Sequence, residues 1–255
     1  MKDFLTIENI AAKYQAENGE ILALDNINFS VKEGEIISIV GPSGCGKSTL
    51  LSIIAGLLKP SSGRVLINNE EIEGISPSIG YMLQRDNLLE WRTIYKNILL
   101  GLEIQKKLTQ DNIAYAKSLM KTYGLIDFAD KYPSQLSGGM RQRVALIRTL
   151  VLKPKVLLLD EAFAALDYQT RLAVTDDVYR ILKSENKTTL IVTHDIPESI
   201  SMADRVIVLS RRPASVKKIY NIEFEGIDRT PLNVREQSKY GEYFNLIWKE
   251  LDVYV

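Results

Sequence analysis

The sequence predicts an α/β fold: a parallel sheet with helices packed on it, an N-terminal antiparallel β layer, and a helical subdomain inserted into the middle of the chain. Three observations lead there. Short, continuously apolar runs alternate with longer helical patterns; the N-terminal runs alternate apolar with polar residues; and residues 94–123 carry helical periodicity with no strand candidate before residue 156.

Taken in order, FLTIENI (4–10), ILALDNINFSV (21–31) and, after the turn-like KPSSG, GRVLINNEEI (63–72) read as short alternating strands of the antiparallel kind. The runs EIISIV (35–40), SIGYML (78–83), VLLL (156–159), TTLIV (188–192) and RVIVL (205–209) are apolar almost throughout. Strands of that composition are buried on both faces, as in a parallel sheet covered by helices. Between them, YKNILLGLEIQKK (95–107) and NIAYAKSLMKTYG (112–124) are helical. The tail ends in EYFNLIWKELDVYV, where Phe244, Ile247, Trp248 and Leu251 fall at helical spacing and predict a helix packed back on the core. The basic run SRRPASVKK (210–218) reads as a solvated turn with no assigned role. There is no repeat or flexible linker. The expected organisation is one nucleotide-binding unit over 1–220, its helical insertion at about 86–150, and a tail over 221–255.

Composition excludes several function classes. The 255 residues are 45% hydrophobic and 25% charged, ordinary for a globular protein. Lys+Arg and Asp+Glu are equal at 32 each, so nothing marks a nucleic-acid backbone binder, and no nucleic-acid partner is expected. The start MKDFLTIENI lacks the apolar core of a secretion signal, and no stretch reaches the ~18 apolar residues of a membrane helix. A cytoplasmic location is therefore expected. A single cysteine, Cys45, leaves no internal disulfide and no cysteine-built metal site.

Chemistry enters at GPSGCGKST (41–49), between an apolar run and a helical pattern at 48–58. Gly41, Gly44 and Gly46 let the backbone curl after Pro42, so that successive N–H groups, from Ser43 through Cys45 to Thr49, surround phosphate oxygens at the positive end of the following helix. Lys47 adds a mobile charge, and the Ser48 hydroxyl suits Mg²⁺. The metal needs an acidic residue at the end of a buried strand. VLLLDEA supplies two: Asp160 for the metal, and Glu161 next to it as general base toward an attacking water. A lone Asp–Glu pair is often just a solvated strand end, but four aliphatic residues precede this one and a phosphate loop lies upstream. His194, the one histidine, follows TTLIVT, and Gln84 follows SIGYML, so both are aimed at the same carboxyl edge of the sheet. His194 is placed for the γ-phosphate and Gln84 for Mg²⁺ or the attacking water.

The stretch LSGGMRQRVALIRTL (136–150) decides what the phosphate drives. Ser137, Gly138 and Gly139 open a strongly helical run and so make a second helix N-terminus suited to an anion. One nucleotide does not need two such sites. Two chains meeting head to tail would use both, each offering its Ser-Gly-Gly end to the phosphate held by the other's Lys47 loop.

The set GPSGCGKST, Gln84, LSGGM, VLLLDEA, Ala165-Leu166-Asp167 and His194, in that order over residues 3–215, resembles the nucleotide-binding subunit of ABC transporters. The resemblance implies the P-loop NTPase core of the ABC ATPase fold, with ATP and Mg²⁺ as cofactors and Ser48, Gln84 and Asp160 at the metal. It implies Tyr14 as the ring stacked on adenine, Ser137–Gly139 as the signature motif, Asp167 in the loop that crosses the dimer interface, and His194 as the switch histidine. It further implies an ATP-dependent homodimer, two membrane permease subunits, an extracytoplasmic solute-binding protein, and a peripheral position on the inner face of the membrane. Met140 stands where glutamine is frequent in the family and Ala162 where proline is common; neither residue type is needed for phosphate contact. LLEWRTIYKNILLGLE (88–103), with Trp91, Arg92 and Thr93, resembles a narrower branch: importers of nitrate, taurine and aliphatic sulfonates, and of pyrimidine precursors of thiamine.

Two other readings compete. A non-transport ABC ATPase, such as one of iron–sulfur assembly, shares every phosphate-handling motif and is opposed mainly by the LLEWRT segment. A stand-alone P-loop kinase is opposed by the second anion site and by the Asp160–Glu161 pair.

Overall fold

The computed structural model describes residues 3–16 and 19–251. The chain opens with an antiparallel pair, β1 (Asp3–Ala16) and β2 (Gly19–Lys32). Each runs to 14 residues, longer than the alternating pattern suggests. Asn9 and Asn26 take positive φ, at 50° and 51°, where the register shifts, so polar residues that read as strand ends are bulges inside longer strands. Strand β3 (Ile36–Val40) leads through the phosphate loop into helix α1 (Lys47–Ile54), which stops short of residue 58 because Gly56, at φ +73°, turns the chain. Strands β4 (Ser62–Ile67) and β5 (Glu70–Glu71) complete a four-stranded sheet in the order β2-β1-β4-β5.

After β6 (Ile79–Met82) come the helices α2 (Ile94–Ile104), α3 (Gln110–Thr122) and α4 (Gly138–Leu150). Thr93, Thr109 and Ser137 cap their first turns by accepting a backbone N–H. The chain then alternates: β7 (Val156–Asp160), α5 (Tyr168–Ser184), β8 (Thr188–Val192), α6 (Ile196–Met202), β9 (Arg205–Leu209) and β10 (Val216–Asn221), followed by α7 (Pro231–Arg235) and α8 (Ser238–Glu250). The main sheet has the order β10-β9-β3-β8-β7-β6, parallel except for β10.

Every residue of β3, β7 and β8 is buried, as continuous apolar runs require. Successive side chains enter different cores. Leu157 and Leu159 join the helical side with α2, α4 and α5, whereas Val156 and Leu158 join α1 and the antiparallel sheet. In α8, Ile247 is fully buried, and Phe244, Trp248 and Leu251 pack partly buried against the helical core. The last four residues of the predicted tail segment, 252–255, lie outside the described residues.

Candidate nucleotide site

The five parallel strands all end at one edge of the sheet, and the residues just beyond them form the site. Across that edge lie the segment with Arg212 after β9, the phosphate loop after β3, His194 after β8, Asp160 and Glu161 at the end of β7, and Gln84 after β6. A cavity of about 580 Å³ opens there, lined by Ser43, Gly44, Gly46, Lys47, Ser48, Thr49, Glu161, His194 and Arg212.

The loop's curl rests on two of its glycines. Gly44 and Gly46 adopt φ of +72° and +120°, a region that side chains with a β-carbon rarely enter. Gly41 has a different reason for being small: a Cβ there would lie 2.9 Å from Cys45 Sγ and 3.2 Å from Leu209 Cβ. Cys45 itself is buried, which fits a packing role. Lys47 is buried too, and its Nζ donates to the carbonyls of Gly41 (2.8 Å) and Pro42 (3.0 Å), which hold the ammonium across the loop.

Asp160 is reached from two sides. The Ser48 hydroxyl donates to Oδ1 (3.2 Å) and the Tyr81 hydroxyl to Oδ2 (3.1 Å). Burial raises the Asp160 pKa above the usual carboxylate range, and these two hydrogen bonds offset only part of that effect. Burial and the neighbouring Asp160 charge push the Tyr81 phenol well above its usual range. Glu161 leaves the strand through a left-handed conformation, φ 45°, with its N–H on the Val192 carbonyl (2.8 Å). Its carboxylate then bridges the neighbouring strands: Oε2 accepts from Gln84 Nε2 (3.1 Å), and Oε1 lies 3.3 Å from His194 Nδ1. Four predicted residues from three separate segments (Ser48, Asp160 with Glu161, and His194) thus sit at one edge, with Gln84 of a fourth segment bonded to the group.

The donor set also fits Mg²⁺. Among the described residues no group of three or more His, Cys, Asp or Glu is placed to cage a metal. A hydroxyl and one carboxylate 3.2 Å apart, beside a phosphate loop, match an ion that takes few protein ligands and completes its shell with phosphate oxygen and water.

Other predicted residues stand further off. Tyr14 is exposed, with its hydroxyl 2.9 Å from Thr49 Oγ1, so it adjoins the cavity at the far end of the loop. Ser137, Gly138 and Gly139 do not line the cavity. Ser137 caps α4, accepting from Met140 N at 3.3 Å, and a Cβ on Gly138 or Gly139 would press on Leu166, Thr170 or Val174. Asp167 caps α5 by accepting from Thr170 N (3.0 Å), and these bonds hold its carboxyl below the usual range.

Several residues of the site escape a motif reading. Tyr81 lies inside a strand and signals nothing until β6 is laid beside β7. Arg141 of α4 forks onto Asp86 (2.7 and 3.1 Å) and reaches Glu90 (2.8 Å), so the helix opened by Ser137 grips the segment after Gln84. Burial would raise the Asp86 pKa, but Arg141 wins and holds it below the usual range. Arg171 joins Asp195 (2.9 Å) to the Leu166 carbonyl (2.8 Å), linking the turn after His194 to the loop before Asp167. The run 210–218 is corrected in part: residues 211–213 are exposed as a turn would be, but Ala214 is fully buried and hydrogen-bonds to β2, Val216 opens β10, and Arg212 donates to Gly44 O at 2.7 Å. Its charge pattern resembled a solvated turn because the partner backbone lies about 170 residues away in sequence.

Known proteins resemble this chain over most of its length. A family model described as ABC transporter matches residues 24–164. The chain is 46% identical over 249 residues to the uncharacterized ABC transporter ATP-binding protein YtlC of Bacillus subtilis (strain 168), covering 98% of this chain and 96% of the relative. It is 37% identical over 251 residues to the taurine import ATP-binding protein TauB of Jannaschia sp. (strain CCS1), covering 96% and 94%. Among solved structures, the dimeric post-hydrolysis state of the ATP-binding cassette MJ0796 bound to ADP and Pi aligns with a TM-score of 0.72 at 31% identity, covering 86% of this chain and 99% of that one. The family match spans the phosphate loop, the Ser-Gly-Gly helix and the acidic strand end, and the chain belongs to the ABC transporter family, as one of its ATP-binding subunits.

Proposed function

We propose that this subunit hydrolyses ATP at a site shared by two copies, and that the closing and reopening of the pair drives an importer. The observation that carries this reading is the division of the predicted anion sites. Lys47, Ser48, Asp160, Glu161 and His194 gather at one edge, while the Ser137–Gly139 helix end lies apart from that cavity. A second chain, turned head to tail, supplies its own Ser-Gly-Gly end, which one chain's geometry leaves unused.

In this reading the loop N–H groups and Lys47 hold the β- and γ-phosphates. Ser48, Asp160 and Gln84 would hold Mg²⁺, which would supply positive charge to offset that of the phosphates. Glu161 takes a proton from the attacking water, and the contacts to Gln84 and His194 fix its carboxylate in place. Tyr14 stacks on adenine, and Asp167 stands at the subunit boundary. Residues 1–220 act as the nucleotide-binding unit, with the helical subdomain at about 86–150, and 221–255 are the tail, whose helix α8 packs against the helical core.

In this reading the membrane partners are separate chains; among the described residues no helix is long and apolar enough to cross a membrane. Their docking surface includes Trp91. In LLEWRT, Arg92 is spent on Glu103 (two contacts of 2.7 Å) and Thr93 caps α2, whereas Trp91 is 76% exposed beside the Gln84 segment. The partners are two permease subunits and an extracytoplasmic solute-binding protein, and the subunit sits on the inner face of the membrane. The likeness to TauB and the LLEWRT segment favour a small solute of the taurine, sulfonate or nitrate kind; pyrimidine precursors of thiamine belong to the same branch.

The test is the solution mass of Glu161→Gln by light scattering with Mg²⁺-ATP and with Mg²⁺-ADP, alongside its turnover. The expected result is a dimer with ATP only, and hydrolysis reduced on the order of 10²–10⁴-fold. Wild-type turnover removes Glu161 as the base; a monomer with both nucleotides removes the composite site for the isolated subunit.

A further inference from the structure

The segment after β9 carries a residue that no motif assigns. Its backbone is pinned: the Ala214 N–H donates to the Ala23 carbonyl (2.9 Å), and the Ala214 carbonyl accepts from Asp25 N (2.8 Å). Between those anchors lies Leu24, against which a Cβ on Gly46 would stand at 2.8 Å. The phosphate loop and the 210–215 turn are therefore both set against one residue of β2. Two positions before the anchored Ala214, Arg212 extends over the loop and donates from Nη2 to the Gly44 carbonyl at 2.7 Å. Arg212 lines the same cavity as Lys47 and Ser48. Because β9 lies on the opposite side of β3 from β8 and β7, Arg212 enters from the side away from His194 and Glu161.

We propose that Arg212 is a nucleotide-binding residue that adds a second permanent cation to the phosphate cavity, from the side opposite the hydrolytic carboxylate. The inference rests on the reading of 41–49 as a nucleotide loop. The physical case has two parts. A guanidinium keeps its charge at every working pH and presents several N–H groups in one plane, so a bond to Gly44 leaves the charge facing the cavity. The carboxylate in the cavity, Glu161, opposes the binding of phosphate anions, and Lys47 is the other cation in the lining. A second cation offsets that repulsion, and Arg212's bond also keeps the Gly44 carbonyl engaged while the loop N–H groups turn inward.

The experiment compares Kd values for Mg²⁺-ATP and Mg²⁺-ADP, by displacement of a fluorescent nucleotide at low and high salt, in Arg212→Ala, Arg212→Gln and Arg212→Lys, with Lys47→Ala as control. Arg212→Ala is expected to weaken ATP about 5- to 10-fold, ADP less, and both less at high salt, where an exposed charge is screened. Arg212→Gln keeps a donor for Gly44 without the charge and is expected to lose as much as alanine; Arg212→Lys keeps most of the affinity. Arg212→Ala within two-fold of wild type, or Arg212→Gln equal to wild type, overturns the proposal. Should the alanine variant fail to fold, the glutamine and lysine variants make the same comparison. Wild-type ATP affinity in Lys47→Ala overturns instead the reading of the loop on which the proposal rests.

Discussion

Replacing Glu198 with glutamine is expected to stabilise the protein increasingly as pH rises from about 5 to 8. Glu198 lies on α6, four residues after His194, with 3% of its surface exposed, and its Oε1 has no hydrogen-bond partner. Burial, then the Asp195 charge, push its carboxyl up to about 8 from the usual 4.5, although Arg171, Thr193 and Arg235 pull the other way. The folded protein therefore favours the neutral acid. Below about pH 4.5 the group is protonated whether the chain is folded or not and contributes no pH dependence; between 4.5 and 8 the unfolded chain ionises first, and stability falls as pH rises. At ~1.4 kcal/mol per pH unit, the loss reaches about 3 kcal/mol at pH 7 and about 5 kcal/mol above pH 8. Glutamine has nearly the shape of the neutral acid and does not ionise. Urea unfolding of both proteins at pH 5, 6, 7 and 8 measures the difference directly. A wild-type-to-variant difference that stays constant across that range, within about 0.5 kcal/mol, refutes the buried neutral carboxyl.

Two further outcomes follow from the site. Arg171→Ala removes the ion pair to Asp195 and the bond to the Leu166 carbonyl, which join the His194 turn to the loop before Asp167; charge-assisted bonds of this kind are worth ~1.5–3 kcal/mol each. Single-turnover hydrolysis is expected to slow by about 10-fold or more with Mg²⁺-ATP affinity nearly unchanged, and an unchanged rate would dismiss the link as structural only. Tyr14→Ala is expected to weaken ATP binding by ~1–3 kcal/mol, the range for a lost aromatic stack on a base. Equilibrium dialysis against labelled ATP checks this, and full affinity in the variant would assign the ring to its contact with Thr49 alone.

The residues that bind phosphate and end the buried strands were legible because their chemistry is local. A loop such as 41–49 must follow a strand and open a helix, and an acidic pair after four aliphatics must stand at a strand's carboxyl end. Burial on both faces likewise writes itself into continuous runs, which is why β3, β7, β8 and β9 were found within a residue of their ends. The long N-terminal strands were less legible, since asparagine at a bulge has the same composition as asparagine in a turn.

By itself the sequence determined the fold class, the phosphate loop, the acidic strand end and the family. Only the tertiary structure decided how these groups meet: Tyr81 on Asp160, Gln84 and His194 on Glu161, Arg171 between two loops, and Arg212 on Gly44. The physical reason is the order of strands in the sheet. Strand β3 pairs with β8 and β9, which follow it by about 150 residues or more, and even the successive strands β6, β7 and β8 are separated by helical connections, so a contact across that edge depends on pairing register, which no local pattern of residues encodes.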